Sequence, residues 1–136
     1  MYHNQSPYDS VPYSLLRDRG LRLAEHFRLS EFACADGSQV LLVHPRLVLL
    51  LEELRAALGH RPITITSGWR SGAHNAQVGG AERSYHLVGM AADIKVRGLA
   101  PSEVAAAAED LDAGGIGIYS TWVHVDVGPE GRRWRG

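Results

Sequence analysis

The sequence contains a single cysteine, Cys34, which excludes an intramolecular disulfide framework. An excess of one charge is also missing, because 14 lysine and arginine residues face 15 aspartate and glutamate residues, for a formal net charge of −1. This balance argues against a nucleic-acid-binding protein, which needs a basic surface. No apolar run approaches the roughly 20 residues that a membrane-spanning helix needs. The sequence therefore points away from disulfide-rich, nucleic-acid-binding and membrane-spanning proteins.

What is present is typical of one globular domain. The chain has 136 residues, of which 45% are apolar and 21% are charged, and this length and composition suit a single core. The polar residues 1–13 predict an irregular N-terminal arm, and residues 14–136 are assigned to the domain. The basic end of the chain, residues 132–135, is interpreted as a solvated tail, with contact to an acidic polymer as the alternative.

The hydrophobic patterns predict helices and strands in separate blocks. Leucines recur at helical spacing over residues 44–58, and Pro45 stands where the first turn of a helix tolerates proline. A second, alanine-rich helix is predicted over residues 101–111. Alternation and β-branched residues predict four strands, over residues 62–67, 91–96, 115–119 and 121–127. Helices grouped around a small sheet indicate an α+β fold rather than an alternating parallel one.

Three polar residues with metal-ligand chemistry stand in or near the predicted strands: His86, Asp93 and His124. Two imidazoles and one carboxylate, with a fourth position left to water, form the ligand set of a catalytic zinc site. Each of these residues taken alone is more often an ordinary polar residue with a structural partner. Because the three are well separated in the chain, their residue types alone leave both interpretations open.

A family resemblance adds weight to the metal site. The segment 84–93 has the pattern Ser-x-His-x-x-Gly-x-Ala-x-Asp and is followed later by His124. This order resembles the signature of the zinc D-alanyl-D-alanine carboxypeptidase superfamily, which also includes murein endopeptidases and the hedgehog signalling domain. The resemblance runs from about Phe27 to Trp134 and includes residues 65–71 and 114–117. It implies a hedgehog-like metallopeptidase fold with a small, mainly antiparallel sheet and flanking helices.

The resemblance also implies roles for single residues. His86, Asp93 and His124 correspond to the ligands of a Zn²⁺ ion. Arg70 corresponds to a cation that stabilises the oxyanion or the substrate carboxylate. Three further residues are predicted to support the metal or bind substrate: Ser84, His74 and Trp122. For Trp122 the alternative is a core or cleft-wall aromatic, and for His74 it is an ordinary surface residue.

One position departs from the commoner family pattern. Many relatives carry an acidic general base three residues before the last histidine, where this chain has Thr121. The nearest acid is Asp126, and strand periodicity directs it to the same face as His124. Asp126 is therefore the candidate general base, with the orientation of a metal ligand or substrate binding as its alternative roles.

Taken together, the resemblance implies a zinc metallopeptidase that hydrolyses amide bonds in peptidoglycan stem peptides or cross-links. Its type is either a D-Ala-D-Ala carboxypeptidase or a murein endopeptidase. The alternative is a non-catalytic zinc-containing module that binds the cell wall or a protein, or a phage component. The expected partner is a peptidoglycan peptide, without nucleic acid, and the expected state is a monomer. Because residues 1–12 do not resemble a signal peptide, we expect synthesis in the cytoplasm and another route to the cell wall.

Overall fold

The computed structural model describes all residues from Met1 to Gly136. Four α-helices are present: α1 (Leu15–Asp18), α2 (Pro45–Ala57), α3 (Gly72–Gln77) and α4 (Pro101–Asp110). Nine strands accompany them: β1 (Val11–Ser14), β2 (Arg22–Ala24), β3 (Phe27–Arg28), β4 (Val40–Val43), β5 (Ile63–Ser67), β6 (Ala91–Val96), β7 (Gly115–Ile118), β8 (Val123–Asp126) and β9 (Arg132–Arg135). Three short 3₁₀ segments cover Pro7–Asp9, Leu29–Phe32 and Tyr85–Val88.

The main sheet has five strands in the order β5-β6-β8-β7-β9. All of its pairings are antiparallel except that of β7 with β9, which is parallel. Two separate antiparallel pairs, β1 with β4 and β2 with β3, complete the strands. The predicted α+β fold with a mainly antiparallel sheet is confirmed.

Helix α2 begins at a histidine cap. The His44 Nδ1 atom accepts from the Arg46 backbone N–H at 3.0 Å, and its Nε2 atom donates to the Ser6 carbonyl oxygen at 3.1 Å. Pro45 follows at the first helical position, where its missing N–H costs nothing. The buried residues of the helix form its inward stripe: Leu47, Val48, Leu50, Leu51 and Leu54.

One face of the main sheet contributes to the core together with helices α2 and α4. On β6 the buried apolar residues Ala92, Ile94 and Val96 alternate with Asp93, which belongs to the opposite face. Val123 and Val125 on β8 join the same core. Alternation thus separates an apolar face from a polar face within the same strands.

Both ends of the chain are part of the fold. The structure differs from the predicted irregular arm, because the arm contains a 3₁₀ segment and its last residues begin β1, which pairs with β4. The interpretation of the basic end as a solvated tail is wrong, because it forms β9 beside β7. The strands that pair with the two ends, β4 and β7, are not adjacent to them in the sequence. The polarity of the end segments therefore does not predict the pairing.

None of the helices has the length and apolar character required to cross a membrane.

Candidate metal centre

The register of two neighbouring strands brings an aspartate and a histidine together. Asp93 on β6 lies opposite His124 on β8, and Gly117 on β7 lies opposite His124 on its other side. Residues opposite each other across antiparallel strands share one face of the sheet. The side chains of Asp93 and His124 therefore meet on the polar face.

The third residue, His86, comes from the 3₁₀ segment Tyr85–Val88. Ser84 caps this segment, and its Oγ atom accepts from the His86 backbone N–H at 3.2 Å. Gly89 ends it with a φ of 74°, a backbone conformation that favours glycine. A Cβ atom at Gly89 would also collide with the Leu42 carbonyl group. The predicted role of Ser84 beside the metal thus takes the form of a backbone cap that positions His86.

The three side chains have the spacing of a metal site. The Asp93 Oδ1 atom lies 3.3 Å from His86 Nε2 and 3.2 Å from His124 Nδ1. One ligand atom from each residue falls within 4.8 Å of the others, and all three residues are buried. Zinc bonds of about 2.0–2.2 Å at tetrahedral angles separate their ligand atoms by roughly 3.3–3.6 Å. The observed Asp93 distances lie close to that separation.

The hydrogen bonds of His86 leave one ring nitrogen available. Its Nδ1 atom lies 2.7 Å from the Gly68 carbonyl oxygen, and because a carbonyl oxygen can only accept, Nδ1 carries the proton. Nε2 then has a free electron pair, and it is buried without a hydrogen-bond partner. A buried nitrogen of this kind is costly unless a ligand uses it. The donor set therefore fits a zinc ion, and this orphaned nitrogen is the strongest single sign of it.

Asp93 is held from behind by Arg70. The Arg70 Nη2 atom donates to Asp93 Oδ2 at 3.1 Å, while other N–H groups of Arg70 donate to Ser67 at 3.0 Å and to Asn75 at 3.2 Å. Burial alone would raise the pKa of Asp93, but its interactions with the neighbouring His124 and His86 side chains outweigh this effect and lower that pKa. Asp93 is therefore ionised at neutral pH, as a metal ligand must be.

His124 is held in turn by Asp126. The His124 Nε2 atom lies 2.7 Å from Asp126 Oδ2, so the Nδ1 atom of the same ring faces Asp93. Burial lowers the pKa of His124, but hydrogen bonds and charges from Asp126 and Asp93 exceed this effect and raise it overall. A carboxylate behind a histidine of this kind fixes the ring orientation and makes the facing nitrogen more basic.

The surroundings of Asp126 do not fit the predicted role of general base. Asp126 is fully buried, and its Oδ1 atom accepts from the backbone N–H of Gly115 at 3.0 Å, from that of Gly128 at 2.9 Å and from Arg132. Burial would raise its pKa, but His124 and Arg132 lower it overall. A general base needs free reach to the reacting water and a pKa near the working pH. The geometry instead favours the alternative role of orienting His124.

A cleft of about 330 Å³ opens above the three residues. It is lined by Arg70, Gly79, Gly80, Ala81, Arg83, Ser84, Tyr85, His86, Asp93, Tyr119, His124, Asp126, Arg132 and Trp134. Two predicted substrate-binding residues lie outside it. His74 lines a neighbouring cavity beside Arg70. Trp122 lines a cavity on the other side and stacks on the Tyr119 ring at 4.6 Å, so its contact with the cleft is indirect.

The residue-level prediction missed the aromatic wall of the cleft. The Trp134 indole N–H donates to the Tyr119 hydroxyl at 2.9 Å, and the Trp134 ring lies 4.9 Å from the His124 ring. A Cβ atom at Gly117 would collide with the Trp134 ring. The signal in the sequence for this packing is Gly117, a glycine within a strand that leaves room for an aromatic ring.

The sequence is similar to those of known peptidases. Residues 25–126 match the family model described as Peptidase M15. Peptidoglycan L,D-endopeptidase MepK of Escherichia coli strain K12 is 37% identical over 135 residues, which cover 93% of this chain and 74% of the relative. The probable peptidoglycan L,D-endopeptidase MepK of Haemophilus influenzae is 36% identical over 108 residues, or 73% of this chain and 58% of the relative.

A third relative matches over a shorter segment. The zinc D-Ala-D-Ala carboxypeptidase of Streptomyces albus G is 48% identical over 44 residues, or 32% of this chain and 17% of the relative. The family model matches most of the chain, and its span includes all three residues of the candidate metal centre. This chain belongs to the peptidase M15 family.

Proposed function

We propose that the protein is a zinc-dependent peptidase that hydrolyses amide bonds in peptidoglycan stem peptides or cross-links. Membership of the peptidase M15 family supports the reaction class. The MepK relatives, named as peptidoglycan L,D-endopeptidases, support peptidoglycan as the substrate. Within this class we favour L,D-endopeptidase activity over carboxypeptidase activity, since similarity to the MepK relative covers 93% of the chain and similarity to the carboxypeptidase only 32%.

The observation that carries the proposal is the free nitrogen of His86 beside Asp93 and His124. His86 Nε2 is buried and has no hydrogen-bond partner, and it lies 3.3 Å from Asp93 Oδ1 at the base of an open cleft. A zinc ion held there by His86, Asp93 and His124 supplies Lewis-acid polarisation of the scissile carbonyl group and activation of water. The open side of the cleft gives a peptide access to these three residues.

The residues around the ligands act by fixing their orientation. The Gly68 carbonyl oxygen accepts from His86 Nδ1, and Arg70 donates to Asp93 Oδ2. Asp126 accepts from His124 Nε2. Each ligand therefore has a partner behind it, and such partners strengthen metal binding. Arg70 also lines the cleft, so its positive charge lies near negative charge that develops on a substrate oxygen.

A murein digestion with metal control tests the proposal. Purified protein is incubated with murein sacculi, after treatment with a chelator and after restoration with zinc, and the soluble products are identified by mass spectrometry. We expect peptide-bond cleavage that the chelator abolishes and zinc restores, with new ends at bonds between L- and D-configured centres. Release of terminal D-Ala alone would support the carboxypeptidase type, and cleavage that survives chelation would contradict a zinc enzyme.

The relatives named above are all peptidases, and no observation favours a non-catalytic binding module. We propose that the protein acts at the cell wall, since this is where its substrate lies. The monomeric state stays a prediction, and sedimentation of the purified protein measures it.

A further inference from the structure

Arg83 is the only arginine of the cleft without an acidic partner. Three arginines line the cleft: Arg70, Arg83 and Arg132. Arg70 pairs with Asp93 at 3.1 Å, and Arg132 pairs with Asp126. These are the two carboxylates of the cleft, so neither is left for Arg83. The guanidinium group of Arg83, on an exposed residue, has no protein partner.

The backbone that carries Arg83 is tied to the metal centre on both sides. Before it, Ala81 accepts from the Asn75 side chain at 2.9 Å and from the Ser84 backbone N–H at 3.0 Å, which closes a turn. After it, Ser84 caps the segment that positions His86. Arg83 therefore stands three residues before a metal-centre histidine, on a turn that is fixed at both ends. The position of the Arg83 backbone is thus fixed, and binding a ligand has to order its side chain alone.

The charges of the cleft favour an anionic ligand. Three guanidinium groups face two carboxylates, which leaves one positive charge in excess, and a zinc ion adds two more. A cleft of one sign concentrates ligands of the opposite sign. Guanidinium groups bind carboxylates through paired, charge-assisted hydrogen bonds. Because a stem peptide carries free carboxylates, the substrate itself can supply the partner that Arg83 lacks.

We propose that Arg83 is a specificity-determining residue that binds a free carboxylate of the substrate peptide close to the scissile bond. This inference rests on the proposed function, since it names a feature of the same substrate. Two carboxylates of a stem peptide have the required chemistry: the α-carboxylate of a D-glutamate linked through its side chain, and the carboxylate at the C-terminus. Conversion of either one to a carboxamide removes the charge and leaves the peptide chain intact.

Three synthetic stem peptides test the proposal. One carries both free carboxylates, one has the D-glutamate carboxylate amidated, and one has the C-terminal carboxylate amidated. The kcat/KM of the zinc-loaded wild type is compared with that of Arg83→Gln and of the control Arg19→Gln, an exposed arginine outside the cleft. We expect one amidation to lower wild-type kcat/KM on the order of tenfold, the scale of a charge-assisted pair. The amide that has this effect identifies the carboxylate.

Arg83→Gln is expected to cut all three peptides at the lower rate, with unchanged zinc content, while Arg19→Gln keeps the wild-type preference. Equal wild-type rates on all three peptides would overturn the role of Arg83 and leave the proposed function standing. A preference that survives in Arg83→Gln would overturn it too, because an unrelated group would then bind the carboxylate. A wild type that cuts neither peptides nor murein would contradict the proposed function itself.

Discussion

The two faces of the main sheet are both buried, but different forces stabilise them. On the core face, Ile94 and Val123 are buried among other apolar side chains. On the cleft face of the same strands, Asp93 and His124 are almost as well buried, at 7% and 8% exposure. Apolar side chains need only contact, whereas buried polar atoms need a partner for each donor and acceptor. The core face thus gains stability from burial, and the cleft face from pairing.

One atom of the cleft face, His86 Nε2, is buried without a hydrogen-bond partner. His124, Asp93 and Asp126 all have hydrogen-bond partners, and only His86 Nε2 in this cluster has none. A polar cluster that is complete apart from one atom is arranged for a ligand. Substitutions on the cleft face are therefore expected to change metal binding, and substitutions on the core face to change stability.

The largest effect is expected from loss of a ligand. His86→Ala should remove bound zinc and lower murein cleavage to the level of the chelated wild type, because Asp93 and His124 alone cannot complete a catalytic zinc site. Metal analysis of the purified variant and a dye-release assay measure both quantities. His60→Asn, at an exposed residue whose positive φ asparagine tolerates, is the control for loss of a histidine and should behave as wild type. Stoichiometric zinc in His86→Ala would show that His86 is not a ligand.

A smaller effect is expected from the residue behind His124. Asp126→Asn should weaken zinc binding about 10–100-fold, the usual cost of losing an orienting carboxylate, because the amide lacks the charge that holds His124. A chelator competition titration measures the affinity, with Asp112→Asn as the control at an exposed acid. Asparagine tolerates the positive φ of Asp112. Unchanged zinc affinity with lost cleavage would instead restore Asp126 as the general base.

The pH dependence of zinc binding tests the same pair of charges. The pKa of His124 is raised, since hydrogen bonds and charges of Asp126 and Asp93 outweigh the opposing effect of burial. The metal-free protein therefore keeps a proton on His124 at pH values just above its ordinary pKa, and zinc must displace it. We expect affinity to rise about tenfold per pH unit in that range. Titrations at several pH values measure this slope, and a flat profile would contradict the prediction.

The smallest effect is expected on the core face, and it should leave the metal untouched. Ile94→Val removes one methyl group from a fully buried site and should lower the free energy of unfolding by about 0.5–1.5 kcal/mol. Denaturant unfolding of the chelated protein measures the loss. Zinc content and kcat/KM of the folded variant should equal those of wild type. Altered zinc affinity in Ile94→Val would show that the two faces are not independent.

The strands that carry Asp93 and His124 are predictable from local pattern, whereas the 3₁₀ segment that carries His86 is not among the predicted elements. Residues 91–96 are predicted as a strand and form β6, and alternation places His124 and Asp126 on one face of the predicted strand 121–127. The same alternation predicts Trp122 on that face, but β8 begins only at Val123, and Trp122 lines a different cavity. The predicted helix over residues 44–58 agrees with α2 within one residue at each end, because proline and a leucine stripe define it. Period-two alternation and helical spacing are read over a few residues, so they needed no knowledge of the tertiary fold.

The remaining features depend on contacts between distant segments. The pairing of β1 with β4 and of β9 with β7 joins residues that are far apart in sequence, and no local signal announces it. The partner of Asp126, Arg132, belongs to a basic end that resembles a solvated tail. Only the fold shows that hydrogen-bond donors surround the Asp126 carboxylate. For this reason the sequence predicts a general base, whereas the structure favours a residue that orients His124.

One zinc ion is expected to bind to three specific atoms on the cleft face. The position of this ion can be measured in crystals of the zinc-loaded protein, through the anomalous difference map at the zinc absorption edge. We predict one peak per chain, at bonding distances of about 2.0–2.2 Å from His86 Nε2, His124 Nδ1 and a carboxylate oxygen of Asp93. A peak bonded to His124 Nε2, a peak at another place in the chain, or no peak at full zinc loading would show that these three atoms are not the ligands.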